Sequence, residues 1–321
     1  MDLKKYLLGR REGVRGLMAV EKAAVAYILL TSLLILCFAG EMHHPWIMLG
    51  QRAGILAMVF VFERIYERIP CRLLEIIRFG AQLGLLAFWY PETYEFNILF
   101  PNLDHVFASA DQNLFACQPS VMFHRTLPSK VWSEAFFMGY WSYYPMMVFV
   151  VLGYYFARNE KFERASFVVV ASFFIYYIIY MFLPVAGPQY YFPAIGSENL
   201  TAGNFPDLGC YFATHNELHE LNGYAQGVFH DMVNGSQAAG ERPTAAFPSS
   251  HVGISTIVMI LAWKLNRKVT IGIIPFYVLL CGATVYIRAH YLVDVFGGWA
   301  SAVLIYFITD RIYTKVAGRQ R

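Results

Sequence analysis

Apolar residues run along this chain in stretches long enough to cross a bilayer, separated by short polar or basic breaks. A span needs roughly 20 mostly apolar residues, and the pattern predicts eight, at about 23–40, 45–62, 72–90, 135–156, 165–183, 252–264, 269–287 and 291–309. Arg52 and Arg78 fall inside or at the edge of the second and third windows, and the sixth window is short. The expected fold is an all-α integral membrane protein of about eight transmembrane helices. Two connections, about 91–134 and 184–250, are too long to be mere links, and long ordered loops usually carry function. The first mixes aromatic and polar residues, as a short amphipathic helix at an interface would.

Composition and charge give the spans an orientation. Of the 321 residues 57% are hydrophobic and only 15% charged, and the mean hydropathy is +0.43, outside the range of soluble domains. Lys and Arg should collect in cytoplasmic loops. With the N-terminus inside, the cytoplasmic segments take Lys4, Lys5, Arg10, Arg11 and Arg15, then Arg64, Arg68 and Arg72, then Arg158, Lys161 and Arg164, then Lys264, Arg267 and Lys268, and finally Arg311, Lys315, Arg319 and Arg321. The outer side keeps Arg52, Arg125, Lys130, Arg242 and Arg288. Both termini are therefore expected in the cytoplasm, with the long loops outside. The basic N-terminal stretch leads into an apolar run without a small-residue cleavage site, so the first segment is expected to be retained. A net charge of +3 spread in short clusters does not make a nucleic-acid surface. The five cysteines form no CxxC pair; Cys117 and Cys210 fall in the two outer loops, where they are open to pairing.

Polar residues beside a span are costly unless they have a task, and three outer helix ends gather them: LPVAGPQYYFP, GERPTAAFPSSHVG and TVYIRAHYLVDVFGG. In the second, Pro248 can open a helix and place Ser249, Ser250 and His251 in its first turn, where free backbone N–H groups favour a phosphate. In the third, His290 and Asp294 are four apart, so that on a helix the carboxylate can accept one imidazole N–H and leave the other ring nitrogen as a nucleophile. Attack on phosphorus gives a phosphohistidine, and a second histidine, His251, can protonate the leaving alkoxide. His215 and His219 are also four apart, but HNELH lacks the HExxH order and a third ligand, so no metal is expected there. Asp104, His105 and Asp111 are either polar loop residues or contacts for the head group of a second substrate. A transporter is a weaker reading, because the ionisable groups lie at outer helix ends rather than near the midplane.

The PSSH and HYLVD segments resemble the second and third motifs of the type 2 phosphatidic acid phosphatase superfamily. LPVAGPQYYFP, AFPSSHVG, HYLVDVFGG and the upstream DQNLFACQPS resemble its inositol phosphorylceramide synthase branch, over about 165–310. The resemblance implies a six-helix catalytic core with two extra N-terminal helices, no metal or other cofactor, and His290, Asp294 and His251 as the catalytic residues. It divides the chain into 1–90, an N-terminal cytoplasmic segment with accessory helices; 91–310, a catalytic transmembrane domain; and 311–321, a cytoplasmic tail. Thr284 stands where relatives carry an Arg six residues before the nucleophile, and Gln189 follows Gly187-Pro188 where the branch often has Arg. Phosphate charge is then expected to be met by Arg242, Arg288, Gln189, Ser249 and Ser250. The implied activity is transfer of a phosphorylated head group between membrane lipids; the rival is a lipid phosphate or isoprenyl pyrophosphate phosphatase with the same residues. A bacterial inner membrane with the site facing the periplasm is the expected home, and a Golgi-type membrane is compatible with the same topology.

Overall fold

A computed structural model describes residues 3–10, 16–217, 223, 227–238 and 240–317. Among them every regular element is helical. After the short α1 (Leu3–Leu8) come three long helices, α2 (Ala19–Cys37), α3 (Pro45–Arg68) and α4 (Arg72–Asn97). The first long connection holds α5 (Asp104–Phe115) and α6 (Pro119–Thr126), and the next apolar stretch is α7 (Lys130–Trp141) and α8 (Tyr143–Ala157). Then come α9 (Phe162–Phe182), α10 (Pro188–Ala202), α11 (Val228–Ala238), α12 (Ser250–Leu265), α13 (Arg267–Tyr286) and α14 (Leu292–Ala317).

All eight expected spans are helical, but not all are single full-length helices. Six, namely α2, α3, α4, α9, α13 and α14, are long and apolar enough to cross a membrane; α7 and α8 make a seventh only as a pair bent by 44°. The eighth, α12, has 16 residues, about 24 Å of helix against a hydrocarbon core of about 30 Å. It is short because its opening turn is spent on the PSSH corner and Asn266 caps α13 one residue after it ends.

α9 is apolar on all sides (FVVVASFFIYYIIYMF), which fits a helix enclosed by others. It packs against α2, α4, α8, α12 and α14 and is the most buried of the spans. The arginines inside the second and third windows are explained by pairing within the bundle. Arg52, 1% exposed, makes two bonds to Glu92 of α4, at 2.6 and 2.7 Å. Arg78 is bound by Glu21 of α2 and also donates to the Gly16 carbonyl at 3.0 Å. A buried guanidinium is tolerable only when a carboxylate meets its fork in this way.

The two long connections form a cap. α5 does not lie with its acids toward solvent. Asp104 is fully buried and accepts from the Ala186 and Gly187 amides (2.6 and 2.7 Å) and the Tyr291 hydroxyl (2.9 Å). Asp111, also fully buried, accepts from the Leu292 and Val293 amides at 2.9 and 3.0 Å. These acids hold the chain on either side of the candidate site, so the structure gives them an internal use in place of a head-group contact. His105 lies 3.7 Å from Asp207. Gly187 has φ +97°, and a Cβ there would meet the Ala289 carbonyl at 2.7 Å, so the two outer turns touch through a residue that must lack a side chain. Cys117 and Cys210 are free thiols.

Candidate active site

The corner before α12 is fixed by capping. Ser249, not Pro248, opens the helix: its hydroxyl accepts from the Val252 amide at 3.4 Å, and Ser250 is the first helical residue. Serine is preferred at this position because its oxygen satisfies an otherwise unpaired N–H, which proline cannot do. The amides expected to receive a phosphate are engaged. Ser249 N–H donates to the Asp294 carbonyl (3.1 Å) and Ser250 N–H to the Tyr180 hydroxyl (2.9 Å), while Tyr180 donates to the Pro248 carbonyl (2.8 Å).

His290 lies in the turn that precedes α14, not on the helix. Its Nδ1–H donates to the Ala246 carbonyl at 2.7 Å, while Asp294 Oδ2 is 3.5 Å from the same nitrogen. The main orienting group is therefore a backbone carbonyl, and Asp294 stands behind it. A carbonyl can only accept, so Nδ1 carries the proton and Nε2 has the free lone pair. Asp294 Oδ2 also takes the Tyr291 amide at 2.8 Å, closing the first turn of α14. Burial lowers the His290 pKa to about 4, with Ala246 and Glu241 pulling the other way, so the ring is neutral at ordinary pH.

His251 and His290 face each other, their ring centroids 5.7 Å apart at 65°. His251 is stacked on Tyr140 (4.5 Å) and lies against Tyr143 (4.7 Å); its Nδ1 has no hydrogen-bond partner among the described residues. Two imidazoles at this spacing can give and take protons on either side of one tetrahedral phosphorus.

Both rings line a small cavity of about 20 Å³, with Gln189, Ser250, Tyr90, Tyr140, Tyr190 and Glu241 also in its wall. That is room for about one water. A cleft of about 460 Å³ opens beside it, sharing Tyr90, Tyr140, Glu241, Ser250 and His251 and continuing along Trp141, Tyr143, Tyr144, Phe173 and Tyr177. A family model described as the PAP2 superfamily matches residues 107–308. The chain belongs to the PAP2 superfamily. No curated protein and no solved structure matches it. Members of the superfamily are typically phosphatases or phosphotransferases, and membership points this chain to that type of activity.

Of the residues expected to meet phosphate charge, the structure brings Gln189 and Ser250 to the cavity and Ser249 just behind it. The two arginines are not among the residues that line it. Arg242 is exposed and donates to the Glu241 carbonyl at 3.2 Å. Arg288, in a left-handed turn with φ 66°, is half-buried among His124 and Arg125, and its pKa is lowered by burial and then by Arg125. Its carbonyl accepts from the Gln189 backbone N–H at 2.9 Å.

Glu241 is the site residue that the sequence reading passed over. It accepts from the Tyr90 hydroxyl at 2.7 Å, and burial pushes its carboxyl up to about 6, against the opposing pull of Tyr90, His290 and Arg242. Its signal was present, since it adjoins Arg242 in the same GERP segment, but a loop path cannot be read from periodicity. Of the two histidines four apart, His215 stacks on Tyr211 at 4.0 Å, while His219 and Glu220 lie outside the described residues.

Proposed function

We propose that this protein is a membrane lipid phosphotransferase that works through phospho-His290. The observation that carries the reading is the pair of facing imidazoles in a small cavity at the end of an aromatic cleft. Nε2 of His290 attacks phosphorus while the ester oxygen of the donor lipid leaves and takes a proton from His251. An acceptor alcohol then displaces His290, returning its proton to His251. The Ala246 carbonyl and Asp294 hold the His290 tautomer and stabilise the charge that grows on the ring. His251 sits between tyrosine rings with no carboxylate bonded to it among the described residues, so the incoming phosphate anion is the group that stabilises its charged form.

Two features favour a phosphodiester donor and transfer to an alcohol over hydrolysis of a phosphomonoester. The cavity wall contains Glu241 and no Lys or Arg among the described residues, so a singly charged diester fits it better than a doubly charged monoester. The aromatic cleft along Trp141, Tyr143, Tyr144, Phe173 and Tyr177 also opens beside the cavity and offers an apolar approach for an acceptor lipid. Glu241 is suited to accept a hydroxyl of the head group or of the acceptor. This is the chemistry of the inositol phosphorylceramide synthase branch that the motifs resemble, and an outward-facing site in a bacterial inner membrane is part of the same proposal.

The test is substrate competition with purified enzyme in proteoliposomes. A phospholipid diester with a lipid alcohol should yield a new diester, with no inorganic phosphate from a lipid phosphomonoester supplied alone. Rapid phosphate release from the monoester, abolished by His290→Ala, would replace the transferase with the phosphatase.

A further inference from the structure

A second cleft, of about 340 Å³, lies between α9, α12 and α14, at the end of α12 remote from His251. It exists because α12 stops at Leu265 while α14 continues to Ala317, about three turns beyond Tyr306. The early end leaves Lys264 facing Tyr306, with its Nζ donating to the hydroxyl at 2.5 Å and lying 4.7 Å from the ring centroid. Arg164, from the first turn of α9, makes two bonds to Asp310 of α14, at 2.7 and 2.5 Å. Lys161, from the turn before α9, completes the rim.

The charges do not balance. Lys161, Arg164 and Lys264 face one carboxylate, Asp310, which Arg164 already occupies. Among the described residues neither lysine has a carboxylate partner, so two positive charges from separate elements remain uncompensated around one opening. Beneath them Ala165 and Leu261 give an apolar floor. Alongside, α14 presents exposed Leu304 and Phe307 toward the surroundings of the bundle. A cationic rim over an apolar floor, on the flank of spanning helices, matches a phosphate with acyl chains attached better than a free anion, which would leave the floor unused.

We infer that this cleft binds a phosphate group, as carried by an anionic phospholipid, between Lys161 and Lys264. The site is separate from the histidine pair and does not depend on the transferase reading. It lies at the end that the distribution of Lys and Arg assigns to the cytoplasm, where anionic lipid headgroups are within reach of basic side chains.

The test is native mass spectrometry of the full-length protein in detergent, titrated with phosphatidylglycerol or with phosphatidylcholine of the same acyl chains. Wild type should hold phosphatidylglycerol at least tenfold more tightly, and the Lys161→Gln/Lys264→Gln double variant should lose that preference. Lys268→Gln, which removes a charge from the same end but outside the cleft, should keep it. Lys161 is exposed, so Lys161→Gln alone provides a variant that folds if the double does not, with a smaller loss expected. Addition of 10 mM inorganic phosphate separates the sources. Displacement of the lipid from wild type would make a free phosphate the occupant, and retention would make it the lipid headgroup. Equal phosphatidylglycerol binding by wild type and the lysine variants, or no preference in wild type, would overturn the inference.

Discussion

Replacing Asp111 tests how the cap serves the site. Its carboxylate spans from α5 to the first two helical amides of α14, Leu292 and Val293, at 2.9 and 3.0 Å. Just before them is His290, and one residue after Val293 is Asp294. In Asp111→Ala both half-buried donors lose their acceptor, at roughly 1–3 kcal/mol each if water cannot replace it, so the variant should lose at most about 2–6 kcal/mol of stability, less whatever the turn recovers by fraying toward water. Fraying moves the same turn that sets His290 against Ala246, and a shift of about 1 Å in a reacting group costs on the order of 100-fold in rate. We expect a substantially lower unfolding temperature in detergent and a kcat about 100-fold down, with KM for the lipid changed only a few-fold because the aromatic cleft is untouched. Asp111→Asn keeps one acceptor and should fall between. Asn113→Ala, two residues along and exposed, is the control and should behave as wild type. Thermal unfolding by intrinsic fluorescence and turnover in mixed micelles supply the two readouts. An Asp111→Ala protein with wild-type melting and wild-type kcat would refute the reasoning, since it would show that these amides do not need the carboxylate.

Other outcomes follow from the same structure. With Glu241 raised to about 6 and His290 lowered to about 4, kcat/KM should climb as pH rises through about 6, where Glu241 ionises, above a lower limb near 4. Glu241→Gln should remove the upper limb and lower the plateau; an unchanged profile would exclude Glu241 from the reaction. For stability the sign is opposite. Burial raises Glu241 above its ordinary 4.5, so its contribution is full below that value and is lost as pH rises through about 6, and Glu241→Gln should melt higher than wild type at neutral pH. Glu92→Gln leaves Arg52 buried without its carboxylate and should cost about 3–5 kcal/mol, read by thermal unfolding, with Arg52→Met in the same chain restoring part of it. Wild-type melting of the single variant would show that the buried pair is not needed.

Much of the bundle was legible because lipid imposes a simple rule on sequence: spans are long and apolar, and charges appear between them. The eight segments follow directly from it, and so does the placing of His251 and His290 at corresponding ends of their helices; their approach to 5.7 Å comes from the packing of α12 against α14. What was hidden depends on partners far apart in the chain. Arg52 and Arg78 look like faults in a span until Glu92 and Glu21 are found opposite them. The spacing of His290 and Asp294 predicted their proximity but not that Ala246, a backbone carbonyl with no sequence signature, would take the shorter bond. Glu241 goes unnoticed in the sequence, and Asp104 and Asp111 leave loop polarity and a head-group contact both open, because a loop has no period from which direction can be inferred. Arg242 and Arg288 are assigned to the phosphate by charge alone; neither lines the cavity, although Arg242 is near enough to act on Glu241 and Tyr190.

The central claim is a covalent bond between phosphorus and one imidazole. Enzyme mixed with a lipid substrate radiolabelled at phosphorus, quenched in alkali within milliseconds and digested, should carry label that is stable to base and released by acid, on the peptide containing residue 290. His251→Ala should form it more slowly and His290→Ala should form none. Label on the peptide that holds Ser249 and Ser250, or steady turnover by His290→Ala, would contradict the account.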